Sequence, residues 1–244
     1  MKYSVKYKLT SLDIAPNGGV RPASLLRYFQ EAINLQMYDN PPSTEDLFAA
    51  GQAFILSRTA MQIYTKLSVY DEITVTTWAN TSKGATFVRS AQIFLGDTLA
   101  ADIITLWALV DINEHRLVRV KDAKLGISTL DELPSIPLPE KIRIPEGEMK
   151  KVGERPVFYS DIDRNDHMNN TRYIDMICDF LPDLENKTVR SFTVNYVTES
   201  KLGEVLSIYH TNSDGDDYFR AVKSDGTTSV ELVLRLEDVK NKAF

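Results

Sequence analysis

The sequence contains little cysteine and little histidine. Among its 244 residues there is one cysteine, Cys178, and there are three histidines. A single cysteine excludes an internal disulfide and a zinc cluster built from cysteines. Disulfide bonds therefore play no part in the fold, and any catalytic histidine is one of three.

Long apolar runs and an excess of positive charge are also missing. The longest apolar stretches, such as Ile103–Ile112, fall short of the roughly 20 residues that cross a bilayer. The first residues alternate polar and apolar side chains, unlike the apolar stretch of a secretory signal, which favours a cytoplasmic protein. The formal net charge of −6 argues against general nucleic-acid binding.

What the first half contains is a pattern of strands around an amphipathic helix. Residues 2–10 alternate as in a half-buried strand. From Pro22 to Asp39 apolar side chains recur every three or four residues, which predicts a helix. Between Phe54 and Val120, β-branched and aromatic residues predict a meander of antiparallel strands. The apolar positions of the helix are Leu26, Phe29, Ile33 and Met37.

The same order returns after a linker that is rich in proline. A strand to about Tyr159, a helix from about Asn170 to Phe180 and four further strands are predicted. One strand, one long helix and a meander predict an antiparallel sheet wrapped around the helix, the α+β arrangement called a hot-dog fold. We therefore predict a tandem hot-dog fold with one continuous sheet. Its predicted parts are an N-terminal domain at 1–125, a linker at 126–153 and a C-terminal domain at 154–244.

A short alignment supports the duplication. Tyr64–Ile73 aligns with Tyr196–Val205 at a constant separation of 132 residues and shares a tyrosine and a glutamate. In that register Leu67 lies opposite Glu199, so one half is apolar where the other carries a carboxylate. We expect the two halves to have diverged in function.

A polar loop before the second predicted helix concentrates acids, amides and one histidine. If residues 161–167 are extended, Asp163, Asn165 and His167 point to the same side, because the side-chain period of a strand is two. A carboxylate, an amide and an imidazole would then face the same point. The loop is a candidate active site.

Helix capping is the structural alternative for this loop. Asn169 or Asn170 is a natural N-cap, and aspartates before a helix are favoured by its dipole. Capping leaves His167 unexplained, because a cap requires no imidazole. The other histidines, His115 in a turn and His210 at a strand end, are expected outside the site.

The pattern Asp-x-Asn-x-His-x-Asn-Asn-x-x-Tyr, which spans Asp163–Tyr173, resembles the active-site loop of acyl-acyl carrier protein (acyl-ACP) thioesterases. Val69–Trp78 and Ser57–Ile63 resemble two strands of that family's first half, and the likeness covers most of 2–237. The resemblance implies hydrolysis of fatty acyl-ACP, which releases free fatty acid and ends fatty-acid synthesis. The catalytic set that it implies is Asp163, Asn165, His167 and Glu199.

The family often has a cysteine directly after that glutamate, whereas this chain has Ser200. The change removes the thiol of a Cys-His mechanism and favours attack by water. Asp163 or Glu199 is expected to position or deprotonate that water, and His167 to share the proton with the leaving thiol, each transfer being worth about 10²–10⁴ in rate. Asn165 is expected to orient the water or the substrate.

Cys178 is no substitute for that thiol, because it lies on the predicted apolar stripe of the helix. Backbone N–H groups at the start of that helix are expected to hold the oxyanion. No metal or organic cofactor is required.

The diverged first half is expected to bind the acyl tail. The helix positions named above, together with two strand residues, can line an apolar tunnel, although an ordinary core explains the same residues more readily. The predicted substrate-binding residues are Leu26, Phe29, Ile33, Met37, Met61, Trp107, Asn169 and Asn170.

The expected partner is an acyl carrier protein, which is acidic, and both a monomer and a homodimer fit two joined hot-dog units. An acyl-CoA thioesterase, a hot-dog dehydratase and a non-catalytic acyl-binding sensor are the alternatives. A dehydratase usually lacks the asparagine and the distant glutamate, and a sensor needs no acid, amide and imidazole together. Two basic clusters are candidate docking surfaces: Arg116, Arg119 and Lys121, and Lys150, Lys151 and Arg155.

Overall fold

A computed structural model describes residues 1–123, 125–182 and 184–238, which divide into two compact units. The first unit contains Met1–Leu9 and Leu26–Pro139, and the second contains Thr10–Leu25 and the chain from Glu140 onward. These units differ from the predicted domains, because Thr10–Leu25 falls in the second unit and much of the predicted linker falls in the first. None of the described helices has the length and apolar character of a membrane span.

The first unit is an antiparallel sheet with most of one long helix, α1 (Pro22–Asp39), from Leu26 onward. A short helix, α2 (Thr44–Ala49), is capped by Ser43. The strands are β1 (Tyr3–Lys8), β2 (Gln52–Ile63), β3 (Glu72–Asn80), β4 (Phe87–Leu95), β5 (Thr98–Asp111), β6 (Arg116–Val118) and β7 (Thr129–Leu130). The main strands lie in the order β1-β3-β4-β5-β2, with β6 beside β5 and β7 parallel to β3.

Helix α1 packs on one face of this sheet. Tyr28 of the helix contacts Tyr7 of β1, with ring centroids 4.8 Å apart. The apolar positions that the 3.6-residue period predicted are mostly buried, and the buried ones are Leu26, Phe29 and Ile33. The predicted bounds of this helix, Pro22 and Asp39, are confirmed.

The predicted linker is held on the opposite face of the first sheet. The indole N–H of Trp78 donates to the carbonyl of Glu132 at 2.8 Å. Asp102 is fully buried on the same side of the sheet as Trp78, and its carboxylate accepts three hydrogen bonds. The donors are the N–H of Ser135 (3.1 Å), the hydroxyl of Tyr64 (2.9 Å) and the amide of Gln92 (3.0 Å).

In the second unit, the residues that the structure describes form five antiparallel strands and a short helix, α3 (Arg172–Cys178). The strands are β8 (Lys150–Pro156), β9 (Lys187–Tyr196), β10 (Val205–Ser213), β11 (Asp216–Lys223) and β12 (Thr228–Asp238). They lie in the order β9-β12-β11-β10-β8. The α+β class, with a strand, helix and meander in each half, is confirmed.

The predicted helix Asn170–Phe180 is longer than α3 at both ends. At the start, the side-chain oxygen of Asn169 accepts hydrogen bonds from the N–H and the hydroxyl of Thr171, at 3.0 and 2.8 Å. This capping turn occupies the first expected helical residues. At the end, Pro182 disfavours a helical conformation at Leu181. A long helix is therefore present in the first half, and the described residues of the second half (125–182 and 184–238) form none of that length.

One turn has the same form in both halves. The turns Ile14–Val20 and Ile162–Met168 are each closed by an isolated β-bridge. The bonds inside them are Ala15 N–H to Gly19 O (2.8 Å) and Asp163 N–H to His167 O (2.9 Å). Residues of the two turns therefore correspond at a separation of 148, as Ile14 does to Ile162.

A second repeated turn follows β2 and β9. Its matching bonds are Asp71 N–H to Ser68 O (3.2 Å) and Glu204 N–H to Lys201 O (3.1 Å), a separation of 133 residues. The predicted alignment at 132 residues is therefore wrong by one position. Glu199 corresponds to Lys66, and Ser200 corresponds to Leu67. The alignment was wrong because it matched Tyr64 with Tyr196 by residue type. The backbone hydrogen bonds, which fix the true correspondence, do not depend on those side chains.

We expect Asp102→Asn to lower the free energy of unfolding by about 1–3 kcal/mol. The buried carboxylate accepts three hydrogen bonds, and an amide in its place directs a donor at another donor. Urea denaturation followed by circular dichroism measures the change. Asp97→Asn, at an exposed turn position, is the control. Equal stability of the two variants would contradict the role assigned to Asp102.

Candidate active site

The polar turn brings His167 into contact with Glu199. Nε2 of His167 lies 2.9 Å from Oε2 of Glu199. The N–H of Met168 donates to the carbonyl of Ser200 at 2.8 Å, which fixes the end of the turn beside the residue after Glu199. The side chains of His167 and Glu199 are 29% and 53% exposed, so water and substrate can reach them. Two residues of the predicted catalytic set are therefore in direct contact.

Asp163 lies at the other end of the same turn. Its Oδ1 accepts a hydrogen bond from the N–H of Asn165 at 2.8 Å, and its Oδ2 accepts one from the amide of Asn169 at 3.3 Å. Its own N–H donates to the carbonyl of His167 at 2.9 Å. The Asp163 carboxylate thus organises the turn and the start of α3.

The turn is not the extended segment that the alternation argument assumed. Asp166 has a φ of 62°, a left-handed conformation that aspartate adopts more readily than most residues. Asp163 and His167 are neighbours because the chain reverses between them. Asn165 lies on the exposed part of the turn, and its side chain makes no hydrogen bond to any residue that the structure describes.

A buried ion pair supports the turn, and sequence reasoning missed it. Asp161 is 3% exposed, and the guanidinium of Arg155 donates to both of its carboxylate oxygens at 2.8 and 2.9 Å. Burial alone raises the pKa of Asp161, but the bonds from Arg155 and from the N–H of Phe158 outweigh it and hold the pKa below its ordinary value. The internal repeat could have indicated a structural role for Asp161, because the corresponding residue, Asp13, accepts a hydrogen bond from the N–H of Thr10.

The hydroxyl and the thiol nearest the site are poorly placed as nucleophiles. Ser200 is fully buried, and its Oγ lies 2.6 Å from Oγ of Ser229. Burial, with smaller contributions from Asp175 and Asp179, raises the pKa of the Cys178 thiol to about 12. These observations favour water as the attacking group.

Lys223 reaches the backbone of the site and was not predicted. Its Nζ donates to the carbonyl of Glu199 and forms an ion pair with Glu204 at 3.1 Å. Lys223 ends β11, and the pairing of β11 with β10 brings it beside Leu206. A single lysine at a strand end forms no motif, so only the strand register reveals this contact.

The other histidines lie in separate environments. His115 is exposed, with a φ of 49°. Nε2 of His210 lies 2.8 Å from Oδ1 of Asp217. Within 1–123, 125–182 and 184–238, no group of three or more His, Cys, Asp or Glu side chains is arranged to hold a metal ion.

The equivalent turn of the first half lacks the acid and the imidazole. Asn17 is buried there and donates to the carbonyls of Leu184 and Lys187 at 2.9 and 2.5 Å. A Cβ added to Gly19 would lie 2.6 Å from the hydroxyl oxygen of Thr188, so a histidine does not fit without local rearrangement. The residues that correspond to Asp163, Asn165, His167 and Glu199 are Ala15, Asn17, Gly19 and Lys66.

The residues predicted to bind the acyl tail have structural partners. Met61 is buried, and Met37 and Trp107 are half-buried. The carbonyl of Asn170 accepts a hydrogen bond from the hydroxyl of Tyr196 at 3.1 Å, and the side-chain oxygen of Asn169 accepts one from the N–H of Thr171, the residue before α3. Binding of substrate by these residues stays a prediction.

Two family models together match most of the chain. The acyl-ACP thioesterase N-terminal domain matches residues 1–126, and the acyl-ACP thioesterase C-terminal domain matches residues 146–243. A curated relative, the chloroplastic dodecanoyl-[acyl-carrier-protein] hydrolase of Cinnamomum camphora, is 22% identical over 250 residues. That alignment covers 95% of this chain and 63% of the relative, so the chain spans less than two thirds of the relative's length.

Two solved structures share the fold. An acyl-ACP thioesterase from Bacteroides thetaiotaomicron superposes with a TM-score of 0.88 at 21% identity, covering 97% of this chain and 98% of that one. The 12:0-ACP thioesterase from Umbellularia californica superposes with a TM-score of 0.84 at 16% identity, covering 97% of each chain.

Two hot-dog units in one chain, with a polar turn and a His–Glu contact in the second, define a tandem hot-dog protein. The chain belongs to the acyl-ACP thioesterase family, whose N-terminal and C-terminal domain models match it in order. The resemblance inferred from the Asp163–Tyr173 loop is confirmed.

We expect Asp161→Asn to lower the free energy of unfolding by about 3 kcal/mol, because Arg155 loses its buried partner. The folded-state pKa of Asp161 is lowered from 3.8, so the carboxylate's contribution is fully present above that value and is lost as the pH falls through the folded pKa.

Urea denaturation of wild type and Asp161→Asn at a series of pH values measures this effect. The difference in stability should be constant between about pH 6 and pH 8 and should shrink below about pH 4. A difference that stays the same down to about pH 3 would contradict the ionised pair.

Proposed function

We propose that the chain hydrolyses the thioester of fatty acyl-ACP and releases a free fatty acid, the step that ends fatty-acid synthesis. The observation that carries this proposal is the 2.9 Å contact between Glu199 and His167, the histidine of the loop that resembles the family's active site. The curated relative is named as a hydrolase of dodecanoyl-[acyl-carrier-protein], which supports the substrate class.

His167 is the general base in this proposal. A carboxylate is only an acceptor, so Nε2 of the imidazole donates to Glu199, and Nδ1 is left to take a proton from water. The water oxygen attacks the thioester carbonyl carbon. When the C–S bond breaks, the imidazolium gives that proton to the leaving thiolate, and the acid loses its remaining proton to solvent.

Asp163 and Asn165 act beside this pair. Asp163 accepts the N–H of Asn165 and the amide of Asn169, and these bonds hold the turn that ends at His167. Its proposed role is to position the imidazole. The exposed amide of Asn165 is free to orient the water or the thioester.

The oxyanion donor that we propose differs from the one expected from sequence. The N–H groups of Thr171 and Arg172 are already bound to the side chain and the carbonyl of Asn169. The start of α3 therefore offers fewer free donors than expected, and we assign the role to the Asn165 amide. Loss of one such donor typically costs roughly 3 kcal/mol of transition-state stabilisation.

The apolar interior of the first unit is the proposed site for the acyl tail. The turn in the first half of the sequence lacks the catalytic acid and imidazole, so that half is not committed to catalysis and is available for binding. Each buried methylene of the tail contributes about 0.8 kcal/mol. Chain-length preference then follows from the space beside α1, and the residues that we assign to it are Leu26, Phe29, Ile33, Met37, Met61 and Trp107. The oligomeric state and a cytoplasmic location stay predictions.

The purified protein should hydrolyse an acyl-ACP with a higher kcat/KM than the acyl-CoA of the same chain length. The carrier adds protein contacts that CoA cannot make. Thiol release detected by a chromogenic disulfide measures both reactions. A preference for the CoA ester at equal concentration would reject the carrier assignment and favour the acyl-CoA alternative.

His167→Ala should lower kcat for acyl-ACP by about 10²–10⁴, because the proposed proton transfers are lost. His115→Asn is the matched control, since His115 is exposed and asparagine tolerates its positive φ. The control should hydrolyse acyl-ACP at the wild-type rate. Activity of His167→Ala equal to that of the control would show that the proposed site is wrong.

A further inference from the structure

Large apolar side chains are exposed on the chain segments that flank the His167–Glu199 contact. Phe158 is 53% exposed, Tyr159 is 84% exposed and Leu202 is 57% exposed. Single exposed apolar residues need no explanation, but a cluster beside a functional site is typical of a surface that binds a partner.

Backbone hydrogen bonds place these residues together. The N–H of Gly203 donates to the carbonyl of Val157 at 2.9 Å, and the N–H of Val157 donates to the carbonyl of Glu204 at 2.8 Å. Phe158 and Leu202 are therefore the adjoining residues of two paired segments. Lys201 and Leu202 follow Glu199 by two and three positions, so this surface borders the candidate active site.

The same surface carries a cation without a partner. Lys201 is exposed, and it pairs with no carboxylate among the residues that the structure describes. The carboxylate of the nearby Glu204 is paired with Lys223 at 3.1 Å. Arg155, held by Asp161, lies 5.4 Å from the ring of Phe158 and supports that ring in its exposed position.

The first half shows that the fold does not require these side chains. Its two turns have the same backbone bonds, yet smaller hydroxyl residues replace the aromatic and basic ones. The residues that correspond to Phe158, Tyr159 and Lys201 are Thr10, Ser11 and Ser68. The turn can therefore form without the aromatic rings of Phe158 and Tyr159 and the amine of Lys201, so their presence has a reason other than stability of the turn.

The geometry points to this surface, which we call the rim (Phe158, Tyr159, Lys201 and Leu202), as the docking site of the acyl carrier protein. The inference rests on the proposed function. The catalytic contact is 29% and 53% exposed, so a carrier must bring its thioester to the surface at this point. An apolar centre beside a free cation suits an acidic partner.

The two basic clusters expected from sequence fit less well. Lys151 pairs with Glu154, and Arg116 lies 3.7 Å from Asp111 in the first unit. Arg155 is the member of those clusters that lies beside the rim, and its guanidinium is bound to Asp161. The rim is favoured because it borders the His167–Glu199 contact, where the thioester of a bound carrier has to arrive.

Leu202→Asp and Lys201→Glu test the rim. Each variant should lower kcat/KM for acyl-ACP by roughly tenfold, through KM, because each removes a contact and adds a charge that repels an acidic carrier. Hydrolysis of the small N-acetylcysteamine thioester with the same acyl chain should stay within about twofold of wild type. That second rate also shows that each variant is folded.

Matched controls come from the first half. Val69→Asp and Ser68→Glu introduce the same side chains at the corresponding positions, and Val69 is itself 41% exposed. Both controls should hydrolyse acyl-ACP and the small thioester at wild-type rates. If the two control variants lost as much acyl-ACP hydrolysis as the rim variants, the loss would not be specific to the rim, and the assignment would be overturned.

Direct binding separates this inference from the proposed function. Fluorescence anisotropy of labelled acyl carrier protein should show binding to wild type that weakens by roughly tenfold in Leu202→Asp. Unchanged binding and unchanged acyl-ACP hydrolysis in the rim variants would overturn docking at the rim. An equal loss of the hydrolysis rate on acyl-ACP and on the small thioester would overturn it as well.

The remaining outcomes concern dimerisation and the proposed function. If wild type is a dimer and Leu202→Asp dissociates it, the rim would instead be a contact between copies of the chain. Absence of hydrolysis by wild type, with binding retained, would reject the function and leave the docking surface standing.

Discussion

The hydrogen bond from the N–H of Met168 to the carbonyl of Ser200 is the constraint on which the candidate site depends. It joins the turn that ends at His167 to the loop after β9 that carries Glu199. A hydrogen bond between two partly exposed side chains contributes only about 0.5–1.5 kcal/mol, so the attraction between His167 and Glu199 cannot fix their positions by itself. The backbone does so, with the buried Asp161–Arg155 pair holding the start of the turn. A site fixed in this way needs little reorganisation during the reaction.

Duplication explains how one framework serves two purposes. Both halves close the same turn with the same backbone bonds, and both place an aspartate at its start, Asp13 or Asp161. What differs is the space and chemistry inside the turn. Gly19 leaves room for Thr188 where the second half has His167, and Asn17 donates inward where Asn165 is exposed. The first turn is a structural element of the second unit, and the second turn carries the candidate chemistry.

Much of the fold and part of the site could be predicted from sequence. The period of Leu26, Phe29 and Ile33 predicted α1 because a buried helix face must repeat with the turn of the helix. The family motif predicted that His167 and Glu199 belong to one site. It did not predict the shape of the turn, which depends on the chain reversal at Asp166. The length of α3 was missed because side-chain capping and a following proline compete with periodicity. The contact of Lys223 was missed because strand pairing, not local pattern, brings it to the site. The Arg155–Asp161 pair was missed because it depends on the short turn Tyr159–Asp161 that brings these two residues together.

A double-mutant cycle on His167 and Glu199 tests most directly whether the two act as one unit. The measurement is kcat/KM for acyl-ACP in wild type, His167→Ala, Glu199→Gln and the double variant. If the 2.9 Å contact positions the base, the double variant should be no slower than the slower single variant, because removing either member disables the other. Losses that multiply in the double variant would show that the two residues act independently and would contradict the account.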